Sequence, residues 1–468
     1  MIGYEGGLKL INFFAVHNID FNKAWKAKQS GWHDQTRAIF ANAEIGWKSM
    51  IYLTATGRND WDSRLAFSDY KSFFYPSIGL SAILTSMFNA PDWLTYLKVR
   101  GSYTEVGNSY GRFMTTVTYP YDEQTQSWTS TSSYPNTKLK PERTKSWEVG
   151  LDARILNDIS LNLTYYRSNT YNQTFYADLS LSSGYSNIPI QSGNIMNEGL
   201  EMSLGYNKQW KDFSFNTNYT LTWNKNRVKR LADGVYNYAT GQPIQMPELS
   251  PLTYGHTDAR LILRVGGSMG DVYGQRLLKR DLNGYILNEE GVGLAMENKE
   301  TYLGSILPKM NMGWSLGFGY KGVNLGMTFT GRFGGIVISE TQSVLDAAGV
   351  SKVSADVRDA GGVQINQSKV SAQTYYQTIQ GTAAYYTYSA TNVRLGELSL
   401  SYTLPKKWFD NKVGMTVGLV GKNLWMIYCK APFDPELTTS AASNFYQGFD
   451  AYMLPSTRNF GFNVKFQF

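Results

Sequence analysis

Histidines are few in this chain, and they limit the catalytic chemistry that its sequence can support. His17, His33 and His256 are the only three. None of them lies in an H-E-x-x-H motif, and no G-x-S-x-G occurs beside a strand-to-helix elbow. A phosphate-binding loop is also missing, so the residue pattern does not favour a hydrolase or a nucleotide-dependent enzyme.

Acidic side chains are a second set of candidate catalytic residues. Glu148, Asp152 and Glu201 could act as a general acid and base, but carboxylates at such spacing are far more often solvated surface groups. Asp281 and Asn283 in the stretch 280–284 lack the D-x-[DN]-x-[DN]-G spacing of a calcium loop, so a β-turn is predicted there. We therefore predict no catalytic residue, no metal site and no bound cofactor.

Two further features could indicate a nucleotide-binding loop and a functional thiol, but we interpret both as structural. The glycines of 266–270 lack the Lys-Ser/Thr and the following helix that a nucleotide loop requires, so a flexible loop is predicted. Cys429 is the only cysteine, which excludes an internal disulfide and a cysteine-rich metal centre. We expect it to be an unpaired thiol without a role in a long connection, 425–456.

Composition narrows the class of protein. The 468 residues include 44 Lys+Arg and 37 Asp+Glu, a net charge of +7, and charged residues are only 17%. Aromatic residues reach 15%. The basic residues form no run of five or more, so nucleic-acid binding is not expected. No apolar run is long enough for a transmembrane helix, and the N-terminus lacks the pattern of a signal peptide.

Alternation of apolar and polar residues runs through most of the chain and predicts strands. In Trp147–Ile155 the odd positions are apolar, whereas Glu148, Asp152 and Arg154 occupy even positions. The other predicted strands are 36–47, 49–58, 74–85, 93–106, 159–165, 200–206, 213–223, 312–320, 323–329, 398–404, 413–419 and 460–468. These make about thirteen strands, or fourteen if Leu8–Ala15 forms one. Their length suits the roughly 9–11 residues that cross a bilayer.

Connection lengths alternate along the same pattern. Short turns are predicted near 47–48, 157–158, 208–211, 321–322 and 405–411, and long connections near 59–72, 107–141, 171–192, 225–308, 332–390 and 425–456. Short turns at one end and long loops at the other are typical of bacterial outer-membrane barrels. Bulky aromatics on the apolar side match the aromatic girdles of such barrels. The predicted fold is an all-β, antiparallel transmembrane β-barrel portion with short periplasmic turns, long extracellular loops and a wet, polar lumen.

Four stretches carry a resemblance to a known family. Gly57–Trp61 followed by Phe74–Gly79 is similar to an "RxD…FPSxG" strand pair, and Leu97–Asn108 to "lKlRxSyGxtGN". Leu139–Asp152 is similar to "L(K/W)PExT…(E)xGlD", and Leu454–Arg458 with the final strand to the family's ending. In this order, across residues 30–468, the chain resembles the C-terminal barrel of the SusC/RagA type of TonB-dependent outer-membrane transporter of Bacteroidetes.

The resemblance implies both a function and partners. It implies a barrel of about 22 strands, a Gram-negative outer-membrane location, uptake of oligosaccharides or peptides, and a SusD-like surface lipoprotein. The family's signal peptide, TonB box and plug are not found here. We therefore expect a C-terminal fragment, with 1–35 as a partial strand and loop and 36–468 as barrel. TonB would be reached only through the N-terminal part.

The alternation, the chemistry of the side chains and the resemblance together assign roles to residues. Glu148, Asp152, Arg154 and Glu201 are expected to face the lumen. Phe460, Phe462, Phe466 and Phe468 are expected to face lipid and to present the C-terminal signal to the assembly machinery, in contact with outer-membrane lipid. The loop aromatics are candidate ligand contacts, although they could instead only structure the loops: Tyr110, Tyr119, Tyr121, Trp128, Tyr134, Tyr171, Tyr176, Tyr185, Tyr236, Tyr238, Tyr375, Tyr376, Tyr385, Tyr386, Phe445 and Tyr446.

Two alternatives remain open from the residues alone. One is a plugless porin or a structural outer-membrane protein without energy coupling. The other is a barrel enzyme, which the missing Ser/His/acid set disfavours. About thirteen strands is an odd number, and it is short of the roughly 22 strands that the family resemblance implies. We therefore predict that the sheet does not close and leaves an unpaired strand edge near the N-terminus.

Overall fold

A computed structural model gives the fold of the chain. It describes residues 2–5, 8–11, 13, 18, 20, 26–29, 32–122, 127–232, 248–289, 293–410, 412–437, 439–440 and 444–467. Phe468, His17, Tyr236 and Tyr238 lie outside the described residues.

Strands account for most of the described chain, and they are numbered in chain order. The first group is β1 (Ile2–Glu5), β2 (Lys26–Gln29), β3 (Thr36–Trp47), β4 (Ile51–Asp62), β5 (Phe73–Ile83), β6 (Leu94–Asn108), β7 (Tyr121–Asp122), β8 (Ser127–Trp128), β9 (Glu142–Ile155), β10 (Ile159–Tyr171), β11 (Thr174–Asp178), β12 (Asn187–Trp210), β13 (Phe213–Ala232), β14 (Glu248–Thr253) and β15 (Arg260–Arg264). The second is β16 (Asp271–Leu278), β17 (Asn288–Glu289), β18 (Gly293–Leu294), β19 (Met296–Ser305), β20 (Met310–Tyr320), β21 (Val323–Phe333), β22 (Ile336–Ser339), β23 (Val363–Ile365), β24 (Ser368–Val370), β25 (Thr387–Ser389), β26 (Asn392–Thr403), β27 (Gly414–Cys429), β28 (Phe449–Asp450) and β29 (Asn459–Gln467).

The principal sheet joins thirteen long strands in the order in which they occur along the chain. Its order is β3-β4-β5-β6-β9-β10-β12-β13-β20-β21-β26-β27-β29, with β11 added beside β12. Neighbours along this path pair antiparallel, as a meander requires. The prediction of about thirteen strands is confirmed. The fourteenth candidate, Leu8–Ala15, forms no strand in its described residues, where Lys9, Leu10 and Ile11 adopt bends and a turn.

Short and long connections alternate along most of this sheet. The connections after β3, β5, β9, β12, β20 and β26 run from the two residues 321–322 to the ten residues 404–413. Those after β4, β6, β10, β13, β21 and β27 run from the ten residues 63–72 up to 233–309. We call the two sides the turn end and the loop end of the sheet. The predicted segregation of connection lengths is confirmed.

The register of the strands places aromatic side chains from neighbouring strands on one face of the sheet. Directly paired residues share a face in an antiparallel ladder, and Trp147 pairs with Tyr103 on one neighbour and Arg167 on the other. Aromatic rings meet across strands on this side, as Trp147 meets Tyr165 at 5.4 Å between ring centroids and Phe215 meets Phe318 at 5.0 Å. We call this side the aromatic face and the opposite one, which carries Glu148, the polar face.

The sheet is open at both edges within the described residues. β3 pairs with β4, β29 pairs with β27, and no ladder joins β3 to β29 in the part of the chain that the structure describes. Every residue of β3 is exposed, including Ile39 at 70% and Phe40 at 72%. The predicted unpaired edge near the N-terminus is therefore confirmed.

The buried core lies at the loop end rather than in the sheet. One cluster unites Tyr254, Leu261, Ile306, Ile338 and Phe449, which come from three different long connections. A four-stranded sheet, β14-β15-β16-β19, and a three-stranded sheet, β25-β22-β28, frame this cluster. We call the described residues of the connections 248–309, 334–391 and 430–458 the loop body.

Helices are confined to connections, and the sequence analysis did not predict them. The α-helices are α1 (Leu84–Met87), α2 (Glu340–Ala347), α3 (Lys352–Asp359) and α4 (Ala372–Ile379), and 3-10 turns cover Ser63–Leu65, Leu181–Ser183, Ala383–Tyr385, Lys406–Phe409 and Asn444–Gly448. Ser339, Ser351 and Ser371 cap α2, α3 and α4 through hydrogen bonds to backbone amides. Among the described residues, no helix combines the length and apolar character that crossing a membrane requires.

Candidate functional site

The polar face of β9 and its neighbours is the first candidate site. Glu148, Asp152 and Arg154 alternate along β9, and Thr164 of β10 pairs with both Gly150 and Glu201. All four predicted lumen residues thus lie on one face of three adjacent strands, as the alternation indicated. That this face lines a lumen stays a prediction.

A basic residue that the sequence analysis did not single out organises this surface. Arg100 on β6 donates to Thr164 Oγ1 at 2.6 Å and lies 3.6 Å from Asp152 Oδ2. Asn162 Nδ2 also donates to Asp152. Arg100 stands inside the stretch Leu97–Asn108 that carried the family resemblance, which is the signal that could have identified it.

Aromatic and amide groups extend the polar face toward the next strands. Tyr166 on β10 donates to Asn224 Oδ1 on β13 at 3.0 Å, so it spans over Gly199 of the intervening β12. A Cβ at Gly199 would meet the Tyr166 ring at 2.6 Å, so only glycine leaves room for this side chain. The surface therefore offers hydroxyl, amide and carboxylate groups in one continuous row, suited to hydrated polar ligands.

A small concavity opens among these groups. Its volume is about 180 Å³, and its lining includes Tyr52, Lys98, Arg100 and Glu148. This is below the roughly 300–1,000 Å³ of sites for small organic ligands. It is large enough for single polar groups, such as one hydroxyl or one carboxylate of a passing molecule.

The loop aromatics differ in burial, and six of them are half-buried: Tyr171, Tyr185, Tyr375, Tyr385, Phe445 and Tyr446. Tyr110, Tyr376 and Tyr386 are buried in hydrophobic clusters, so they structure the loops, which was the alternative interpretation for each of them. Tyr119, Tyr121, Trp128, Tyr134 and Tyr176 are exposed, and they remain predicted ligand contacts. Burial raises the pKa of Tyr386, so its phenol stays neutral.

Tyr254 is the hub of the loop body, and the sequence analysis did not name it. Its side chain is fully buried, and its hydroxyl donates to the Phe445 carbonyl at 2.7 Å. Its ring lies 5.2 Å from that of Phe449 and 6.2 Å from that of Tyr446. Burial raises the pKa of Tyr254, with a further contribution from Tyr446, so the hydroxyl remains a donor.

The glycine-rich segment 266–270 is anchored, and the predicted flexible loop is corrected. Val228 of β13 exchanges backbone hydrogen bonds with Gly266 and Gly267 at 2.8 Å. Asn226 Oδ1 accepts from the Met269 amide at 2.7 Å. Strand β13 extends beyond its predicted end at 223, and this extension supplies the anchoring groups.

Asp271 next to this segment is held by its own neighbours. Tyr302 donates to one oxygen at 3.2 Å and the Ser268 amide to the other at 2.8 Å. Burial and the adjacent Asp271 carboxylate raise the pKa of Tyr302 to about 12, so the phenol keeps its proton at neutral pH.

The remaining candidates take structural positions. Asp281 accepts from the amides of Asn283 and Tyr285, and Gly284 donates to the Asp281 carbonyl, which confirms the predicted turn. Cys429 ends β27 instead of lying in a long connection, and its thiol donates to the Ala431 carbonyl at 3.4 Å. His33 precedes β3, and His256 lies between β14 and β15.

These features together define a class of protein. A meandering antiparallel sheet with aromatic and polar faces, short turns at one end and packed long connections at the other is the architecture of an outer-membrane β-barrel. A family model described as TonB dependent receptor-like, beta-barrel, matches residues 13–424. The chain belongs to this family, whose members are outer-membrane proteins, and the resemblance to its SusC/RagA type is confirmed.

Curated relatives share modest identity over nearly the whole chain. The chain is 25% identical to TonB-dependent receptor P3 of Formosa agariphila over 92% of its own length and 45% of that protein. It is also 25% identical to TonB-dependent receptor SusC of Bacteroides thetaiotaomicron over 50% of its own length and 21% of that protein. The chain thus spans about half the length of the curated relatives that it matches along most of its own length.

A solved structure shares the fold. The RagAB peptide importer in its "open-open" state superposes with a TM-score of 0.72 at 20% identity, covering 97% of this chain and 49% of that one. Its "closed-closed" state gives the same TM-score. At this identity the likeness establishes the barrel fold alone.

Proposed function

We propose that this chain contributes its sheet and loop body to an outer-membrane importer for oligosaccharides or peptides. The observation that carries the proposal is the two-faced thirteen-strand sheet, whose connections are short at one end and long at the other. The aromatic face would stand in lipid, and the polar face would line the route. The family match supports the outer membrane as the location.

The polar face has the chemistry that such a route requires. Groups such as Arg100, Tyr166 and Glu201 can exchange hydrogen bonds with sugar hydroxyls or with peptide amides as they do with water. Weak contacts of this kind allow a molecule to move on, whereas one tight pocket would retain it. The exposed aromatics Tyr119 and Trp128 could stack on sugar rings or apolar side chains before entry.

The same proposal includes two partner proteins. Relatives include SusC and the RagAB importer, and we propose that the receptor acts with a SusD-like surface lipoprotein and with TonB. The loop body is the surface that would face such a lipoprotein. We further propose that the chain is not an enzyme, since the carboxylates of the polar face, such as Asp152, are engaged by Arg100 and Asn162.

Uptake in a strain that lacks the gene for this chain tests the proposal. Fluorescently labelled oligosaccharides and peptides are supplied to the deletion strain and to the strain with the gene restored. Accumulation of one of the two classes is expected only with the gene present. Adding a protonophore should abolish this accumulation, because TonB-dependent transport consumes the proton-motive force.

Two outcomes would count against the proposal. Uptake that depends on the gene but continues with the protonophore would favour the plugless porin. Equal accumulation of both substrate classes with and without the gene would reject an import function for them. Labelled monosaccharide provides the control, because its entry should not change in any strain.

A further inference from the structure

Cationic side chains form a band on the aromatic face just beyond its aromatic row. Leu200 of β12 pairs with Trp223 of β13, and the next pair on the same face toward the loop end is Glu198 with Lys225. Met196 with Arg227 follows. Arg167 of β10 stands beside Glu198 and Trp147 in the same row. Charged side chains thus occupy this row on the three neighbouring strands β10, β12 and β13, next to Trp147 of β9.

A notch opens at the edge of this band. Trp223 pairs with Met310, the first residue of β20, so beyond this pair toward the loop end β13 continues beside β12 without β20 on its other side. The space between holds about 580 Å³, a volume typical of ligand sites. Lys225, Arg227 and Lys309 line it together with Trp223.

Backbone also forms part of the notch wall. Gly266 and Gly334 line it, and both adopt positive φ, 91° and 77°, where a side chain would be strained. A bulky polar group can therefore approach the main chain closely. Asp271, the one carboxylate among the described lining residues, already accepts hydrogen bonds from Tyr302 and Ser268.

The cations around the notch are incompletely neutralised. Lys225 Nζ lies 3.8 Å from Glu198 Oε1, which is a long distance for an ion pair, and the Lys225 side chain is half exposed. Arg227 and Lys309 are exposed, and among the described residues neither side chain has a hydrogen-bonding or ion-pair partner. Three cations thus line one concave surface, and two of them have no ion-pair partner within the part of the chain that the structure describes.

We propose that this notch binds the phosphate groups of a phosphorylated glycolipid headgroup from the outer leaflet. Its position decides the occupant, because Trp223 belongs to the aromatic row that marks the membrane interface and the cations lie one step beyond it. Arg and Lys at that height attract anionic headgroups, and guanidinium suits phosphate geometry. The inference rests on the proposed membrane location but not on transport.

Titration of the full chain in detergent micelles with bisphosphorylated lipid A tests this site. Native mass spectrometry counts the bound lipid. The double variant Arg227→Gln/Lys309→Gln should bind roughly tenfold to thirtyfold more weakly. Binding to the unaltered chain should also weaken as salt is raised, because the contact is between charges. The charge-conserving variant Arg227→Lys/Lys309→Arg should retain most of the affinity, which separates lost charge from lost folding.

A matched control removes equal charge from the opposite end. Lys211→Gln/Lys407→Gln neutralises two lysines at the turn end, and it should leave lipid A binding unchanged. Equal weakening in both double variants would overturn the proposal, as would full binding of lipid A stripped of both phosphates. Displacement of lipid A by inorganic phosphate or by a soluble phosphorylated disaccharide at equal concentration would assign the notch to a soluble anion instead.

Discussion

Arg394 and Asp434 form a buried ion pair between the loop end of β26 and the last long connection. Two guanidinium nitrogens donate to the two carboxylate oxygens at 2.9 and 2.7 Å, and the side chains are 11% and 7% exposed. Burial opposes the charge of Asp434, but the hydrogen bonds from Arg394 and from the Glu436 amide outweigh it and lower the pKa of Asp434. The pair thus holds 430–458 onto the sheet in the ionised state.

Asp434→Asn should loosen this connection. The substitution leaves the Arg394 charge buried with Glu436, at 3.3 Å, as its remaining anionic partner among the described residues, and we expect a local loss of about 1–3 kcal/mol. Limited proteolysis within 430–458 should accelerate at neutral pH. Glu436→Gln is the matched control, since that side chain is 39% exposed and should contribute far less.

The same pair predicts a pH dependence. The pKa of Asp434 is lower in the folded chain than in the unfolded one, so its stabilisation is complete above about pH 4 and is lost as the pH falls through the folded pKa. Proteolysis of 430–458 should therefore increase below about pH 4 in the unaltered chain. In Asp434→Asn the step should be absent, and a step of equal size there would assign the effect to another group.

The final strand allows a test of side-chain facing. Val464 pairs with Val417, and Lys465 pairs with Thr416 on the other face. Val464→Arg should cost roughly 2–4 kcal/mol if the aromatic face meets lipid near the midplane, whereas Lys465→Gln should cost little. Urea unfolding of the chain in lipid vesicles gives both values. Similar costs for the two substitutions would contradict the assignment of faces.

Local patterns predicted residue faces well and long-range partners poorly. Alternation alone placed Glu148, Asp152 and Arg154 on one side of β9, because the side-chain period of a strand is fixed at two. Arg394 and Asp434 are 40 residues apart, and no local pattern relates them. The same holds for Tyr254, whose hydroxyl partner Phe445 lies 191 residues away.

The loop body should behave as one unit because Tyr254 joins three connections. Tyr254→Ala should remove roughly 3–5 kcal/mol of packing and expose 248–309, 334–391 and 430–458 to protease together. Tyr254→Phe removes only the 2.7 Å hydrogen bond to Phe445, and it should cost about 1 kcal/mol. Hydrogen exchange of the three connections, followed by mass spectrometry, measures both effects.

Loss of protection in 248–309 alone would show that the three connections are independent. The α-helices of 334–391 provide an internal reference, since their serine caps do not involve Tyr254. Amides within α3 should therefore retain more protection in Tyr254→Ala than amides of β22, which pairs directly with β28.

The unpaired edge of β3 is a separate site at which the chain could self-associate. Its residues are exposed and its outer backbone groups have no strand beside them within the described residues, a geometry that invites pairing with another chain. Phe40→Lys places a charge at a 72% exposed position of this edge, and it should reduce self-association in detergent without loss of stability. Light scattering measures the oligomer, and an unchanged mass would show that association uses another surface.

Strand existence followed from the sequence, but strand length and loop structure did not. β12 extends to 24 residues, and β13 to 20, because their loop ends pair with each other beyond the apolar alternation. There the hydrophobic cluster of Ile195 and Val228 is covered by loop residues such as Leu263. The alternating pattern disappears once both faces are covered, so sequence analysis assigned these residues to connections.

At the scale of the molecule, burial is divided between two environments. The loop body buries its apolar residues in protein, as Leu261, Ile306 and Ile338 show. The sheet instead leaves large apolar side chains such as Trp314 and Leu419 exposed on its aromatic face. A soluble protein rarely exposes an apolar surface of this extent. The stability of the sheet must therefore depend on lipid or detergent covering that face.

Partitioning of the purified chain tests this dependence. In detergent above its critical micelle concentration the chain should remain in the supernatant after ultracentrifugation, and on dilution below that concentration it should sediment. Alkaline carbonate should not release it from membranes, because the contact is hydrophobic rather than electrostatic. Replacing Leu419 and Phe462, paired neighbours on the aromatic face, with Ser should shift the transition only slightly, since many other apolar side chains remain. A monodisperse, folded monomer in detergent-free buffer would contradict the membrane assignment of the aromatic face.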